Sequence, residues 1–286
     1  MIISTIQNIG SIPMMKENGI DAVIVSFENV SLRSQHMQPA SMLGQWKEQC
    51  AANGMKLYIN MLKLFMEEEM PLLDQFMETL RRIEPDGIYY ADEGVYESAE
   101  KYGLCGKLIY QPETLVTSTP DVRFYFDLGV QSVSLAHELS LDEILHIAKS
   151  EPAIEVLIHG YFSILYSRRP LVTNYLHHIG KEKEKDAFSI VEQTRKEPMP
   201  IIEDETGTHV FSSVPINSYA QIRRLYEAGI RRFRIDNLFL DDKEAAALAK
   251  TYKGILDQKI DGSSIKEENS SARWYSQQTV KRKENV

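Results

Sequence analysis

Apolar residues in this chain fall in short, β-branched runs separated by longer stretches in which they recur every three or four positions. The runs predict strands near 2–6, 22–26, 56–60, 87–91, 108–110, 131–135, 154–159 and 231–235. Helical periodicity lies between most of them, for example over 42–52, 66–83, 141–148 and 219–228. Asn53-Gly54, Tyr102-Gly103 and Ala228-Gly229 place glycine where a helix must stop. Ser140-Leu-Asp-Glu143 has the pattern that caps a helix start.

Eight strands alternating with helices predict an α/β fold with a parallel sheet, and the count suggests a (β/α)8 TIM-barrel-like closure. An open doubly wound sheet is the alternative. It is weakened because no glycine-rich phosphate loop follows the first strand. The eighth strand arrives late, after an insertion of about 160–216 between strands seven and eight. Within it, 199–204 and 209–213 flank Glu205-Thr206-Gly207-Thr208 and predict a β-hairpin, with a loop before it. The barrel domain is therefore expected over 1–256. Beyond it, 257–286 turns to Lys, Glu, Ser and Gln and is expected to be a flexible tail.

With 286 residues and 43% hydrophobic content, the chain has material for one large core. Its start lacks the basic residues and long apolar run of a signal peptide, and no apolar stretch approaches a membrane span. Cys50 and Cys105 match no metal or redox spacing, which fits a reduced, cytoplasmic protein. A formal charge of −9 argues against indiscriminate nucleic-acid binding. Arg223, Arg224, Arg231, Arg232 and Arg234 nevertheless cluster, and Arg168-Arg169 form a second pair. That clustering is compatible with a specific RNA partner or with stems lying along the surface.

In a barrel of this kind the working residues sit where strands end. Those positions hold Gln7, Glu28, Asn60, Asp92, Gln111, His137, Glu138, His159 and Asp236. Asp92, just before Glu93-Gly94, has the alternative role of a helix cap. The most informative stretch is Glu155-Val-Leu-Ile-His159-Gly160, which runs into an aromatic and doubly basic segment ending at Asn174-Tyr175. Strand period puts Glu155 and His159 on one face, where a carboxylate can orient an imidazole for acid–base work. Arg168 and Arg169 are candidates for clamping a carboxylate or phosphate. Glu203, Asp204 and Glu205 at the hairpin tip read as solvated. The serine-elbow and zinc-helix signatures are missing.

Glu155-Val-Leu-Ile-His-Gly160 resembles the Glu-x-x-x-His-Gly signature of the U32 collagenase-like peptidase family, and Tyr166-Ser-x-Arg-x-Leu-x-x-Asn-Tyr175 continues it. Gln111, the segment Leu135-Ala-His-Glu-Leu-Ser140, the hairpin over 198–213 and Phe233-Arg-Ile-Asp236 extend the likeness over about 1–240. The resemblance implies a barrel-like fold and kinship with prephenate-dependent hydroxylation of the tRNA wobble uridine. It also implies an iron–sulfur cluster on four cysteines in many members. Here Ser163, Pro170 and a residue near Ile216 stand where the family has cysteines, and Leu238 stands where it has the Arg of a closing Glu-Gly-Arg. None of these side chains replaces a thiolate, so no cluster is expected in this chain. The resemblance supports an accessory subunit in tRNA hydroxylation, working with a cysteine-bearing paralogue of the same family. Its ligand would be tRNA, prephenate or another small carboxylate. In that reading Asn60, Asp92, Gln111, Glu138, Arg168, Arg169, Asn174, Tyr175 and Asp236 contact substrate. A peptidase using Glu155 and His159, and a non-catalytic anion binder at Arg168 and Arg169, are the alternatives.

Overall fold

The computed structural model describes residues 1–183, 187–191, 193, 197–266 and 268–277. The predicted runs become β1 (Ile2–Thr5), β2 (Ala22–Ser26), β3 (Lys56–Met61), β4 (Gly87–Tyr90), β5 (Leu108–Tyr110), β6 (Ser132–Val133) and β7 (Glu155–Gly160). An inserted sheet follows with β8 (Ser163–Ser167), β9 (Ala187–Ile190), β10 (Met199–Asp204) and β11 (Gly207–Phe211). The chain then returns through β12 (Ile216–Asn217) and β13 (Arg232–Ile235). The helices are α1 (Ile12–Glu17), α2 (Leu43–Ala52), α3 (Met70–Ile83), α4 (Glu93–Tyr102), α5 (Thr119–Asp127), α6 (Leu141–Ala148), α7 (Leu171–His178), α8 (Ile222–Glu227) and α9 (Asp242–Leu256).

The main sheet runs β12-β7-β13-β1-β2-β3-β4-β5-β6, parallel throughout except where β12 pairs with β7. It curls until the chain just past β6 reaches β7. Ser134 bridges Glu155, and the Leu135 amide donates to the Glu155 carbonyl at 3.0 Å. Alternation along each strand sorts the core into two layers. Ile3, Ala22, Ile24, Tyr58, Tyr89 and Ile109 fill the inside of the curl. Val23, Val25, Leu57, Ile59 and Phe233 face the helices, against Trp46, Leu73, Met77 and Tyr252. The α3 face shows the rule that builds this shell: Leu73, Phe76, Met77 and Leu80 recur at helical spacing and are its buried residues. No helix among the described residues is long and apolar enough to cross a membrane.

The inserted region is more than a loop and a hairpin. The hairpin forms, with β10 against β11, but β8 and β9 join it in an antiparallel sheet ordered β8-β11-β10-β9. Gly207 is required at the hairpin. Its φ of 127° and a Cβ that would fall 2.2 Å from the Ser167 carbonyl leave no room for a side chain. Glu203 is not solvated. It is 1% exposed and accepts from the Val172 and Thr173 amides and the Thr173 and Thr208 hydroxyls, so it caps the start of α7.

Part of the expected tail is also ordered by contacts. Ser271 exchanges backbone hydrogen bonds with Pro215 and Asn217 along β12, and Trp274 packs on Phe162 with ring centroids 5.3 Å apart. Tyr275 is buried, with its hydroxyl 2.6 Å from Ser218 Oγ. Composition hid this because two aromatic residues in a polar segment suffice to dock it. Residues 278–286 lie outside the described residues.

Candidate functional site at the barrel mouth

Glu155 and His159 do not share a surface. Pairing of β7 with β13 joins Arg232 to Glu155 and Arg234 to Leu157, then skips, joining Ile235 to His159. Ile158 is the extra residue of a β-bulge. One extra residue turns every later side chain to the opposite face. Glu155 therefore points inward, where it accepts from Tyr89 Oη at 2.6 Å and lies within 3.4 Å of both Arg232 and Arg234. His159 points outward, with Nδ1 3.2 Å from the Tyr252 hydroxyl on α9. A catalytic dyad of these two groups has no geometry to act through.

The inward set is a continuous chain of charges that climbs to the C-terminal mouth of the strands. Arg234 Nη2 donates to His137 Nε2 at 2.9 Å, and His137 Nδ1 lies 3.1 Å from Glu113. Glu113 in turn lies 2.8 Å from Arg33 and accepts from Gln111 at 2.5 Å. With Arg234 donating to Nε2, the ring's own proton sits on Nδ1 and points at Glu113. Burial opposes ionisation of Glu113, but Arg33 and His137 outweigh it and hold its pKa below the ordinary carboxylate range. Burial likewise opposes the charge of Arg234, and the surrounding Glu155, Asp236 and Glu113 carboxylates reverse that effect. Burial pushes Asp236 up despite Arg234 beside it.

The backbone and the space around this mouth are unusual. Arg33 and Glu113 both adopt left-handed backbone, with φ of 55° and 70°. Such conformations cost on the order of 1 kcal/mol or more for residues with a Cβ, and strained residues gather at binding sites. The Arg33–Glu113 contact is also close without being a well-aligned hydrogen bond, because Arg33 Nη2 has no directed acceptor despite the 2.8 Å separation. An open cleft of about 300 Å³ lies over them, walled by Leu62, Leu64, Leu115, Ile164 and Leu165. Tyr166 of β8 roofs it and stacks on His209 at 4.7 Å. His209 Nε2 contacts Thr206, while Nδ1 is buried without a partner. Burial and then Arg33 lower the pKa of this ring to about 4.

Of the residues marked from sequence, Gln111, His137 and Asp236 stand at this mouth. Asn60 is buried below it and fully occupied. It donates to Ser26 and the Leu32 carbonyl and accepts from the Leu62 amide, fixing the loop after β2. Asp92 is a helix cap, accepting from Gly94 and Phe65 amides. Glu138 is exposed, and its neighbour His137 is the residue that enters the network. Arg168 is already engaged within the protein: both its Nη atoms grip Glu69, at 2.7 and 3.0 Å, and hold that carboxyl down to about 2. Arg169, Asn174 and Tyr175 are exposed and are not among the residues that line the cleft. Gln7 and Glu28 take no part in it either. Gln7 bonds Asp242 and Leu240, and Glu28 is exposed.

Arg33, Glu113, Arg234, Tyr89, Tyr166 and His209 escaped sequence reasoning. A signal existed for one of them. Arg232-Phe233-Arg234-Ile235-Asp236 alternates charge with apolar residues, and strand period demands that both arginines and the aspartate share a face.

Comparison with known proteins places this geometry in a family. The model of peptidase family U32 matches residues 7–284. The tRNA hydroxylation protein P2 of Bacillus subtilis is 27% identical over 240 residues, covering 80% of this chain and 78% of that protein. The tRNA hydroxylation protein P of Helicobacter pylori is 24% identical over 275 residues, covering 90% of this chain and 64% of that protein. Its Escherichia coli counterpart is 22% identical over 251 residues, covering 70% and 53%. The chain thus spans about half to two-thirds of the length of the last two relatives. It belongs to peptidase family U32.

Proposed function

We propose that this chain is a component of tRNA wobble-uridine hydroxylation and that the barrel mouth is its substrate-side surface. The observation that carries this reading is the strained Arg33–Glu113 pair, continued by His137 and Arg234 beneath a cleft with apolar walls. Such a floor offers guanidinium donors to an oxygen-rich ligand and a carboxylate to its N–H or O–H groups. A small carboxylate such as prephenate is the proposed ligand beside Arg33, with tRNA as the macromolecular substrate. The names of the Bacillus and Helicobacter relatives, tRNA hydroxylation proteins, support a role in tRNA hydroxylation. We place this work in the cytoplasm, with tRNA.

The redox chemistry falls to a partner in this proposal. Many family members hold an iron–sulfur cluster on cysteine thiolates, which supplies electron transfer when bound. Ser163, Pro170 and the segment around Ile216 offer no such donors here. Cys50 sits in the core, where burial pushes its thiol up to about 12 and keeps it protonated. We therefore propose that this chain brings no cluster of its own and works beside a cysteine-bearing paralogue.

Deleting the gene and quantifying 5-hydroxyuridine-type bases in bulk tRNA by mass spectrometry tests the reading. Loss of the modified bases, restored by the wild-type gene and not by Arg33→Gln, is the expected result. Unchanged modification in a strain with no second hydroxylation route refutes it.

A further inference from the structure

The outward-facing imidazole has a place of its own. His159 is 5% exposed and lines an open cleft of about 490 Å³ on the outer wall, between β7 and α9. Its hydrogen bonds fix which nitrogen carries the proton. The Tyr252 hydroxyl donates its single proton to the Ile158 carbonyl at 2.9 Å and accepts from the Ser218 amide at 3.0 Å. His159 Nδ1, 3.2 Å away, must then be the donor to that hydroxyl. Nε2 is left as a lone-pair acceptor on a ring that lines the cleft, with no hydrogen bond to any of the described residues.

The walls narrow the chemistry of what an acceptor there would meet. The Tyr219 ring lies 6.0 Å from the imidazole, and Tyr161 closes the same side. Glu244 and Glu268 bring two carboxylates to the rim against one exposed ammonium, Lys266. One oxygen of Glu244 accepts from the Asp241 amide, which leaves the other for a ligand. Burial holds the imidazole's pKa down to about 4, so it stays uncharged at neutral pH and does not repel a cation. An uncharged acceptor, carboxylates and aromatic faces together suit a positively charged donor and disfavour an anion.

We infer that this outer cleft binds a primary ammonium group, with one N–H directed to His159 Nε2, another to the carboxylate rim, and its charge over the Tyr219 face. The ammonium could belong to a free diamine or polyamine, or to a lysine side chain. The site does not depend on the proposed role in tRNA hydroxylation.

Titration of the intact protein with butylammonium, putrescine, spermidine and Nα-acetyl-lysine amide tests it, followed by nitrogen resonances of the histidine rings. The His159 Nε2 signal should move upfield in a saturable way while Nδ1 holds still. Tetramethylammonium, which has no N–H, should bind at least tenfold more weakly. Glu268→Gln should weaken binding several-fold, and His159→Phe should abolish it. The wild-type resonance makes the test independent of whether that variant folds. An unmoved Nε2 at saturating amine, or equal affinity for tetramethylammonium, overturns the inference. The ranking of spermidine against acetyl-lysine amide assigns the natural source.

Discussion

Glu155 and His159 leave the same strand four residues apart and enter opposite worlds. Inside, Glu155 is one of a set of formal charges that neutralise one another, Arg232 and Arg234 among them. Outside, His159 sits uncharged among tyrosines and hydrogen-bonds to a neutral hydroxyl. The difference rests on Ile158. A bulge at the mouth of a curled sheet re-aims half of a sequence motif, so adjacency within a motif says little about shared chemistry. The inner environment depends on every charge having its partner, and the outer one on the imidazole itself carrying no charge.

The largest break in this comparison comes from Glu155→Leu. It leaves two buried guanidinium groups facing each other with their main carboxylate gone. Removing one partner of a buried ion pair costs about 3–5 kcal/mol. Urea unfolding monitored by circular dichroism should show a loss of that size. A loss under 1 kcal/mol would mean that water already solvates the inner charges, and the contrast between the two faces would collapse.

Acid separates the two faces next. His159 and the roof residue His209 both have folded pKa values near 4, set by burial and, for His209, by Arg33 as well. Free histidine titrates near 6.5, so between those values the unfolded chain binds more protons than the folded one. Stability from each ring is complete above about pH 6.5 and is lost as pH falls toward 4. The loss amounts to about 3 kcal/mol per ring. Denaturant midpoints measured from pH 7 to 4 should fall steeply, and His159→Gln should remove about half of that slope. An unchanged slope in the variant would place the acid sensitivity wholly on the mouth side.

These contrasts also mark where sequence reading reaches its limit. The eight strand positions are legible because each is a short, largely apolar run set between helical stretches. The strand at 108–110 and the strand at 22–26 fall where the pattern predicts them. The pattern predicts a loop over Ser163–Ser167, because this half-exposed strand carries no clean alternation of buried and exposed positions. The bulge at Ile158 was invisible for a different reason: an isoleucine among Val, Leu and Ile carries no sign of being unpaired. Arg33 and Glu113 come from loops 80 residues apart, and only the curl of the sheet brings their side chains together. Gln111 and Asp236 were found because strand ends converge whatever the loops do.

The smallest effect sharpens the comparison at its edge, where the inserted sheet meets the strands. Arg168, at the end of β8, reaches the Leu64 carbonyl and grips Glu69, to which Lys63 also binds at 2.8 Å. This contact ties the roof strand, and Tyr166 with it, to the loop after β3. Both partners are partly exposed, at 29% and 22%, so water and salt weaken the pair. Arg168→Gln should therefore cost only about 1 kcal/mol globally. Its local signature should be larger than its global one. Hydrogen exchange of β8 amides should speed up while exchange in β2 and β3 stays the same, and the difference should shrink as salt is raised in the wild type. Uniform acceleration across the sheet would mean that the roof and the strands open as one unit, and that the mouth has no separately mobile cover.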